Sequence, residues 1–286
     1  RVRYFSADWA STLARSRYLV NNSNFPWFFR KRKGQIYLQT WHGTPLKKLM
    51  RDIPGVQPSR GYLKSLEREG ASWDYLVSPN AFCSSLLPSL FNFSGTLLEM
   101  GYPRNDPLVS ISQESRREIR KSLGIESDGV TVVLYAPTWR DYLRDSNGSW
   151  SSISFIEEKL TLPMDQVLLY RGHTNTFDGK GTETPGIDVT NHPSVTDLCI
   201  AADVLVTDYS SIMFDFTITR KPIVIFAPDF ETYERERGFY FDFRHEVPGP
   251  IVHTQSELEG VLASLGSMPA AEYATRYDAW AEHFHA

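Results

Sequence analysis

The chain has 286 residues, 41% of them hydrophobic and 22% charged, with a formal net charge of −4 and a pI near 6.0. That is ordinary globular composition on a length sufficient for two medium domains, which excludes disorder as the main theme. Without a global basic field bulk nucleic-acid binding is disfavoured, so no nucleic-acid partner is expected and any polyanion must be met by a local patch.

Two cysteines, Cys83 and Cys199, sit in apolar helix-like contexts. They read as buried thiols in a reducing compartment rather than a disulfide framework. No apolar run approaches the roughly 18 to 20 residues of a membrane span, and no signal peptide is apparent. The expectation is therefore a soluble or peripheral protein. Because the text opens on Arg1 in what reads as the middle of a domain, a longer multidomain polypeptide is also expected.

Short apolar runs at 18–20, 35–39, 75–77, 96–100, 131–135, 166–170, 204–206 and 223–226 predict strands. Between them helices are predicted at 81–90, 113–123, 153–160, 195–201, 212–217 and 257–265, with an amphipathic helix at 270–284 closing the chain. This alternation reads as α/β with parallel sheets. A polar break at 124–129 marks the domain joint, placed between residues 106 and 129, giving units of 1–118 and 119–286. Ligands of such sheets are expected outside the carboxyl ends of strands.

Polar residues gather at four of those ends. After the second run comes Gln39-Thr40-Trp41-His42-Gly43-Thr44-Pro45-Leu46-Lys47-Lys48-Leu49. Gly43 supplies a flexible joint, and Thr44 and Pro45 suit a helix start whose free N–H groups, with Lys47 or Lys48, would attract an anion. His42 is the candidate base, since a neutral imidazole can accept a hydroxyl proton near cellular pH; the alternative is a structural turn histidine.

Thr138-Trp139-Arg140-Asp141 follows the 131–135 run, and Arg171-Gly172-His173 follows 166–170. Arg140 and Arg171 are placed to neutralise phosphate oxygens, or else form structural salt bridges. His173 can donate to a phosphate or act as an acid; otherwise it is a satisfied interdomain histidine.

Asp208-Tyr209-Ser210-Ser211-Ile212-Met213-Phe214-Asp215 puts two serines before an apolar helix, a phosphate cradle or simple N-capping over a buried Asp215. Arg30-Lys31-Arg32-Lys33, after Phe25-Pro26-Trp27-Phe28-Phe29, could hold anionic headgroups or an anionic polymer, or be a solvated loop. No metal-ligand spacing is present, so no metal and no cofactor are expected.

Taken in order, Gln39-Thr40-Trp41-His42-Gly43-Thr44-Pro45-Leu46-Lys47-Lys48, Gly101-Tyr102-Pro103-Arg104-Asn105-Asp106, Tyr135-Ala136-Pro137-Thr138-Trp139-Arg140, Arg171-Gly172-His173 and Val206-Thr207-Asp208-Tyr209-Ser210-Ser211-Ile212-Met213-Phe214-Asp215 resemble the CDP-glycerol glycerophosphotransferases of teichoic-acid synthesis. The resemblance runs from about residue 18 to 243.

It implies a GT-B fold, two Rossmann-like domains facing across a cleft, with the nucleotide on the C-terminal side and the acceptor on a compact or trimmed N-terminal side. It implies further that His42 is the catalytic base, with Arg140, His173, Asp208, Ser210 and Ser211 around the CDP moiety. Thr138, Arg171, Gly43 and Lys47 join them as substrate-binding candidates, and His173 as a second catalytic candidate.

The expected reaction moves a polyol phosphate, glycerol 3-phosphate from CDP-glycerol, to the terminal hydroxyl of a poly(polyol phosphate) or lipid-linked acceptor and releases CMP. Expected surroundings are the cytoplasm or the inner face of the membrane, in peripheral contact. Competing readings are a CDP-ribitol ribitolphosphotransferase, another GT-B nucleotide-sugar glycosyltransferase or epimerase, and a non-catalytic module that binds nucleotide or anionic polymer.

Overall fold

The computed structural model describes residues 2–55, 57–138, 140, 155–156, 160–172, 186–265 and 270–285. The chain divides into two compact units, the first made of Arg1–Pro45, Leu49–Pro103 and Phe284–Ala286, the second of Leu46–Lys48 and Arg104–His283.

In the first unit, helix α1 (Ala7–Arg15) starts at Ser6, whose side chain accepts the N–H of Trp9. Strands β1 (Tyr18–Asn21), β2 (Ile36–Gln39), β3 (Tyr75–Ser78) and β4 (Thr96–Glu99) form one parallel sheet in chain order. Helix α2 (Arg60–Ser72) joins β2 to β3, and α3 (Ala81–Phe91) joins β3 to β4. Asn80 caps α3 by accepting the N–H of Cys83, and Asn92 ends it in the left-handed region, the two positions where a short polar side chain is favoured. Tyr37, Leu76, Cys83, Leu87 and Phe91 are buried together as the core.

The second unit begins with α4 (Asp106–Val109) and α5 (Gln113–Ser122). Its sheet is built from β5 (Thr131–Ala136), β6 (Gln166–Tyr170), β7 (Ile187–Asp188), β8 (Val204–Thr207), β9 (Ile223–Phe226) and β10 (Ile251–Val252), in the order β10-β9-β8-β5-β6-β7. All its pairings are parallel. Every residue of β8 and β9 is buried, as expected where a parallel sheet is covered on both faces. Helices α6 (Val195–Ala201), α7 (Ile212–Thr217), α8 (Phe230–Arg237), α9 (Phe243–Glu246), α10 (Gln255–Ala263) and α11 (Ala270–His285) complete the fold. Cys199, like Cys83, is a buried free thiol.

The expected strands appear, with β6, β9, α6 and α7 at their predicted bounds. Two expectations are corrected. The units separate after Pro103, not at residue 118, because α5 is bound into the second unit: Arg120 is buried, donates Nε to the Ala201 carbonyl at 2.9 Å and pairs with Asp203, as does Arg116.

Nor does a helix begin at Pro45. Leu46–Lys48 runs extended against Gly238–Tyr240, with Lys48 N–H donating to the Gly238 carbonyl at 3.0 Å and Tyr240 N–H to the Leu46 carbonyl at 3.1 Å. Those pairings use backbone groups a helix would have needed internally. Most of the helix expected at 153–160 lies outside the described residues.

Candidate functional site

In the first unit the loop after β2 carries His42 on the surface and Gly43 and Thr44 below it. The His42 Nδ1 lies 2.8 Å from the carbonyl oxygen of Asn22, in the loop after the neighbouring strand β1. A carbonyl can only accept, so Nδ1 carries the proton in that bond, and the neutral ring keeps its lone pair on Nε2. The imidazole also lies against Trp41, their ring centroids 4.1 Å apart.

A buried polar chain runs beneath. Asn21 Nδ2 donates to Tyr37 Oη at 3.4 Å, and Tyr37 Oη donates to Glu69 at 3.2 Å. Burial pushes the Glu69 carboxyl up, although the Phe25 N–H and the Tyr37 hydroxyl bond to its ionised form and pull the other way.

The basic run beside these loops is largely engaged within the unit. Arg30 donates to the carbonyls of Trp27 and Phe29, Lys31 pairs with Asp74 at 2.7 Å, and Arg32 donates to the Ala14 carbonyl.

In the second unit the sheet order reverses between β5 and β8, adjacent strands from which the chain proceeds in opposite directions. Such a switch point is where parallel α/β sheets take ligands, outside the carboxyl ends. Four expected residues flank it: Thr138 and Arg140 after β5, and Asp208 and Ser210 after β8. Thr138 N–H donates to Asp208 Oδ1 at 2.8 Å, joining the two loops across the switch point. Arg171 lies one strand further along the same edge, after β6.

Arg140 does not stand free to meet a phosphate. Its Nε and Nη2 donate to the two oxygens of Asp229 at 2.7 and 2.9 Å, and its Nη1 reaches Asp208 at 2.9 Å and the Thr138 carbonyl at 2.5 Å. Burial works against the guanidinium charge, but Asp208 and then Asp229 more than offset it and the pKa is raised. Two carboxylates thus face one guanidinium. Asp208, 2% exposed, is likewise taken up, accepting from Thr138, Tyr209 and Arg140. Both residues thus join the loops after β5, β8 and β9.

Other expected residues keep ligand-like settings. Arg171 Nη1 donates to the Val189 and His192 carbonyls at 3.2 and 3.0 Å, and no carboxylate pairs with it among the described residues. Burial lowers its pKa. Ser211 stands at the start of α7 without a side-chain cap bond, and the Ser210 hydroxyl accepts the N–H of Ile212 at 3.4 Å. Lys47 belongs to this unit, its Nζ 5.9 Å from the ring centroid of Tyr233, which stacks on Tyr209 at 3.8 Å. His173 lies outside the described residues.

Asp229 escaped the sequence reading, although Ala227-Pro228-Asp229 after β9 is a fifth polar strand end of the kind that marked the other four. Arg104 and Asn105 converge on Asp215, with distances of 3.0 and 2.7 Å, so two of the quoted motifs meet.

The family profile described as CDP-glycerol:poly(glycerophosphate) glycerophosphotransferase matches residues 1–286. The chain belongs to that family. Within it, the teichoic acid poly(glycerol phosphate) polymerase of Bacillus subtilis strain 168 is 36% identical over 279 residues, covering 93% of this chain and 37% of that protein. The polymerase of the same description from Staphylococcus epidermidis RP62A is 37% identical over 303 residues, covering 99% and 41%.

This glycerophosphotransferase-family chain thus spans about two fifths of the length of those relatives. A structure of a variant of the wall teichoic acid polymerase TagF, soaked with CDPG, is 35% identical and superposes with a TM-score of 0.85, covering 100% of this chain and 72% of that one.

Proposed function

We propose that this chain transfers glycerol phosphate from CDP-glycerol to the terminal hydroxyl of a poly(glycerol phosphate) teichoic acid chain. The acceptor oxygen attacks the phosphorus that bears glycerol, a new phosphodiester P–O bond forms, and the anhydride P–O bond to CMP breaks. The hydroxyl proton passes to Nε2 of His42, and CMP leaves with the bond's electron pair. The observation that carries the reading is His42 itself: the Asn22 carbonyl holds Nδ1 as the protonated nitrogen, leaving Nε2 as the acceptor.

On the second unit, Arg171, Lys47 and the Ser210-Ser211 helix start supply positive charge and donors for the phosphates, with His173 as the further donor to the departing CMP. Arg140, Asp208 and Asp229 hold those loops. Family membership and the switch-point geometry support CDP-glycerol as donor. The step as written uses no cofactor. It carries with it the GT-B expectation of a nucleotide domain and an acceptor domain, which a CDP-bound crystal structure tests.

A His42→Asn variant is expected to bind CDP-glycerol normally and lose about 100-fold or more in CMP release, the range of a missing general base. Wild-type turnover in that variant would overturn the assignment. Offering CDP-ribitol in parallel separates the two polyol donors.

The same reading places the chain beside an anionic membrane surface. Tyr4, Phe5, Trp27 and Phe28 are exposed, and their rings adjoin at 4.4 Å for Tyr4 with Phe5, 6.2 Å for Phe5 with Phe28 and 5.8 Å for Trp27 with Phe28. Exposed aromatics flanked by Arg32 and Lys33 suit an interfacial depth. Among the described residues no helix is long and apolar enough to cross a membrane. Co-sedimentation with phosphatidylglycerol vesicles is expected to exceed that with phosphatidylcholine vesicles, and equal binding to both would remove the surface from the proposal.

A further inference from the structure

Gln39 ends β2 and is 0% exposed. A buried primary amide is costly unless both its halves are bonded. Here Oε1 accepts the Trp41 N–H at 2.9 Å, and Nε2 donates to the Ser23 carbonyl at 2.9 Å. The orientation is fixed by chemistry, since reversing the amide would set donor against donor and oxygen against oxygen. The side chain is therefore a bracket between two loops, the one after β2 and the one after β1.

Each loop carries one half of the His42 hydrogen bond. The loop after β1 is shaped by Asn21, whose Oδ1 accepts the Ser23 N–H at 3.2 Å in a turn centred on Asn22, the local bonding that asparagine favours. Thr40 N–H donates to the Asn21 carbonyl at 2.9 Å, beginning the seam that Gln39 completes. In the loop after β2, Trp41 holds φ at 55°, the left-handed region that a bulky residue rarely adopts. Such a conformation persists where its surroundings over-determine it. The constraints are the N–H bond to Gln39 and the indole packed 5.0 Å from Phe91.

We propose that Gln39 is a positioning residue for His42. By tying the Trp41 N–H to the Ser23 carbonyl, it keeps the Asn22 oxygen within reach of Nδ1 and so keeps the lone pair on Nε2. This rests on the reading of His42 as the base, and it adds a residue that never touches substrate.

The test uses the full 286-residue chain with Gln39→Met, which keeps the length of the side chain and removes both bonds. Long-range ¹⁵N–¹H correlation of the imidazoles, with His42 assigned by its loss in His42→Asn, is expected to show the Nδ1–H form in the unaltered chain and a mixture with Nε2–H in the variant. Turnover should fall about 10- to 100-fold, as when partners behind a functional histidine are removed, with the KM for CDP-glycerol within about twofold.

Gln39→Asn keeps both halves of the amide on a side chain one methylene shorter, which cannot span both loops at once, so the same changes are expected in smaller degree, and it serves if the methionine variant does not fold. Either folded variant with an unchanged tautomer and unchanged turnover overturns the proposal. An active His42→Asn enzyme defeats the base reading whatever Gln39 does. An inactive His42→Asn beside an unperturbed Gln39 variant defeats only the positioning role.

Discussion

Asp229 takes the guanidinium of Arg140 side-on, through Nε at 2.7 Å and Nη2 at 2.9 Å, where both side chains are withdrawn from solvent. The pair joins the loop after β9 to the loop after β5, and Asp208 adds the loop after β8 from the other side. Tyr209 donates its hydroxyl to Asp229 at 3.1 Å and lays its ring 4.8 Å from the guanidinium carbon. Three neighbouring strand ends are thus locked by a single arginine.

Removing Asp229 should strip two hydrogen bonds from the buried guanidinium while Asp208 still faces its charge. Asp229→Ala is expected to destabilise the second unit by about 1–3 kcal/mol, read as a lower midpoint in urea, while Asp229→Asn, which keeps one acceptor, should lose less. Because the clamp sets the loops on which Ser210 and Ser211 stand, CDP affinity should fall in both variants. A midpoint within error of the unaltered chain would mean that the clamp is dispensable.

Glu69 makes stability depend on pH. Burial raises its carboxyl pKa above the ordinary 4.5 in the folded chain. Between 4.5 and the raised value the folded state binds more protons than the unfolded one, so stability falls as pH rises through that window and is greatest below it. Urea midpoints measured from mildly acidic to neutral pH should decline for the unaltered chain and lose that slope in Glu69→Gln, which cannot ionise. An identical slope in both would show that another group titrates there.

Arg171 is a half-buried cation on the switch-point edge that two carbonyls hold without a paired carboxylate among the described residues. Arg171→Gln should weaken CDP by about tenfold, equivalent to about 1.4 kcal/mol, and flatten the salt dependence of binding. Calorimetry at two ionic strengths checks both. Arg140→Gln should also bind CDP less tightly, but through a large loss of stability that Arg171→Gln does not share.

Much of this was readable from local signals. A buried parallel strand needs an unbroken apolar run wherever it lies, so Gln166–Tyr170 and Ile223–Phe226 were bounded correctly from their own residues. The strand ends then pointed to His42, Thr138, Arg171, Asp208 and Ser210 because polar residues directly after buried strands have few structural reasons to gather. The helix expected at Pro45 failed for the converse reason. Its start signal is worth little against backbone bonds to Gly238–Tyr240, which lie far away in the chain.

The amino-acid order by itself determined which strands form, which loops carry the polar residues and to which family the motifs are similar, because periodicity and turn chemistry act over a few neighbours. Only the tertiary structure decided what those polar residues do. Arg140 reads as an unpaired cation until Asp229, 89 residues further on, is seen to fill its fork. His42 is one surface histidine among several until the Asn22 carbonyl, 20 residues earlier, selects its tautomer. Charge pairing and tautomer choice are set by atoms a few ångströms away, and the parallel sheets that bring them together do so across sequence distances that no local pattern records.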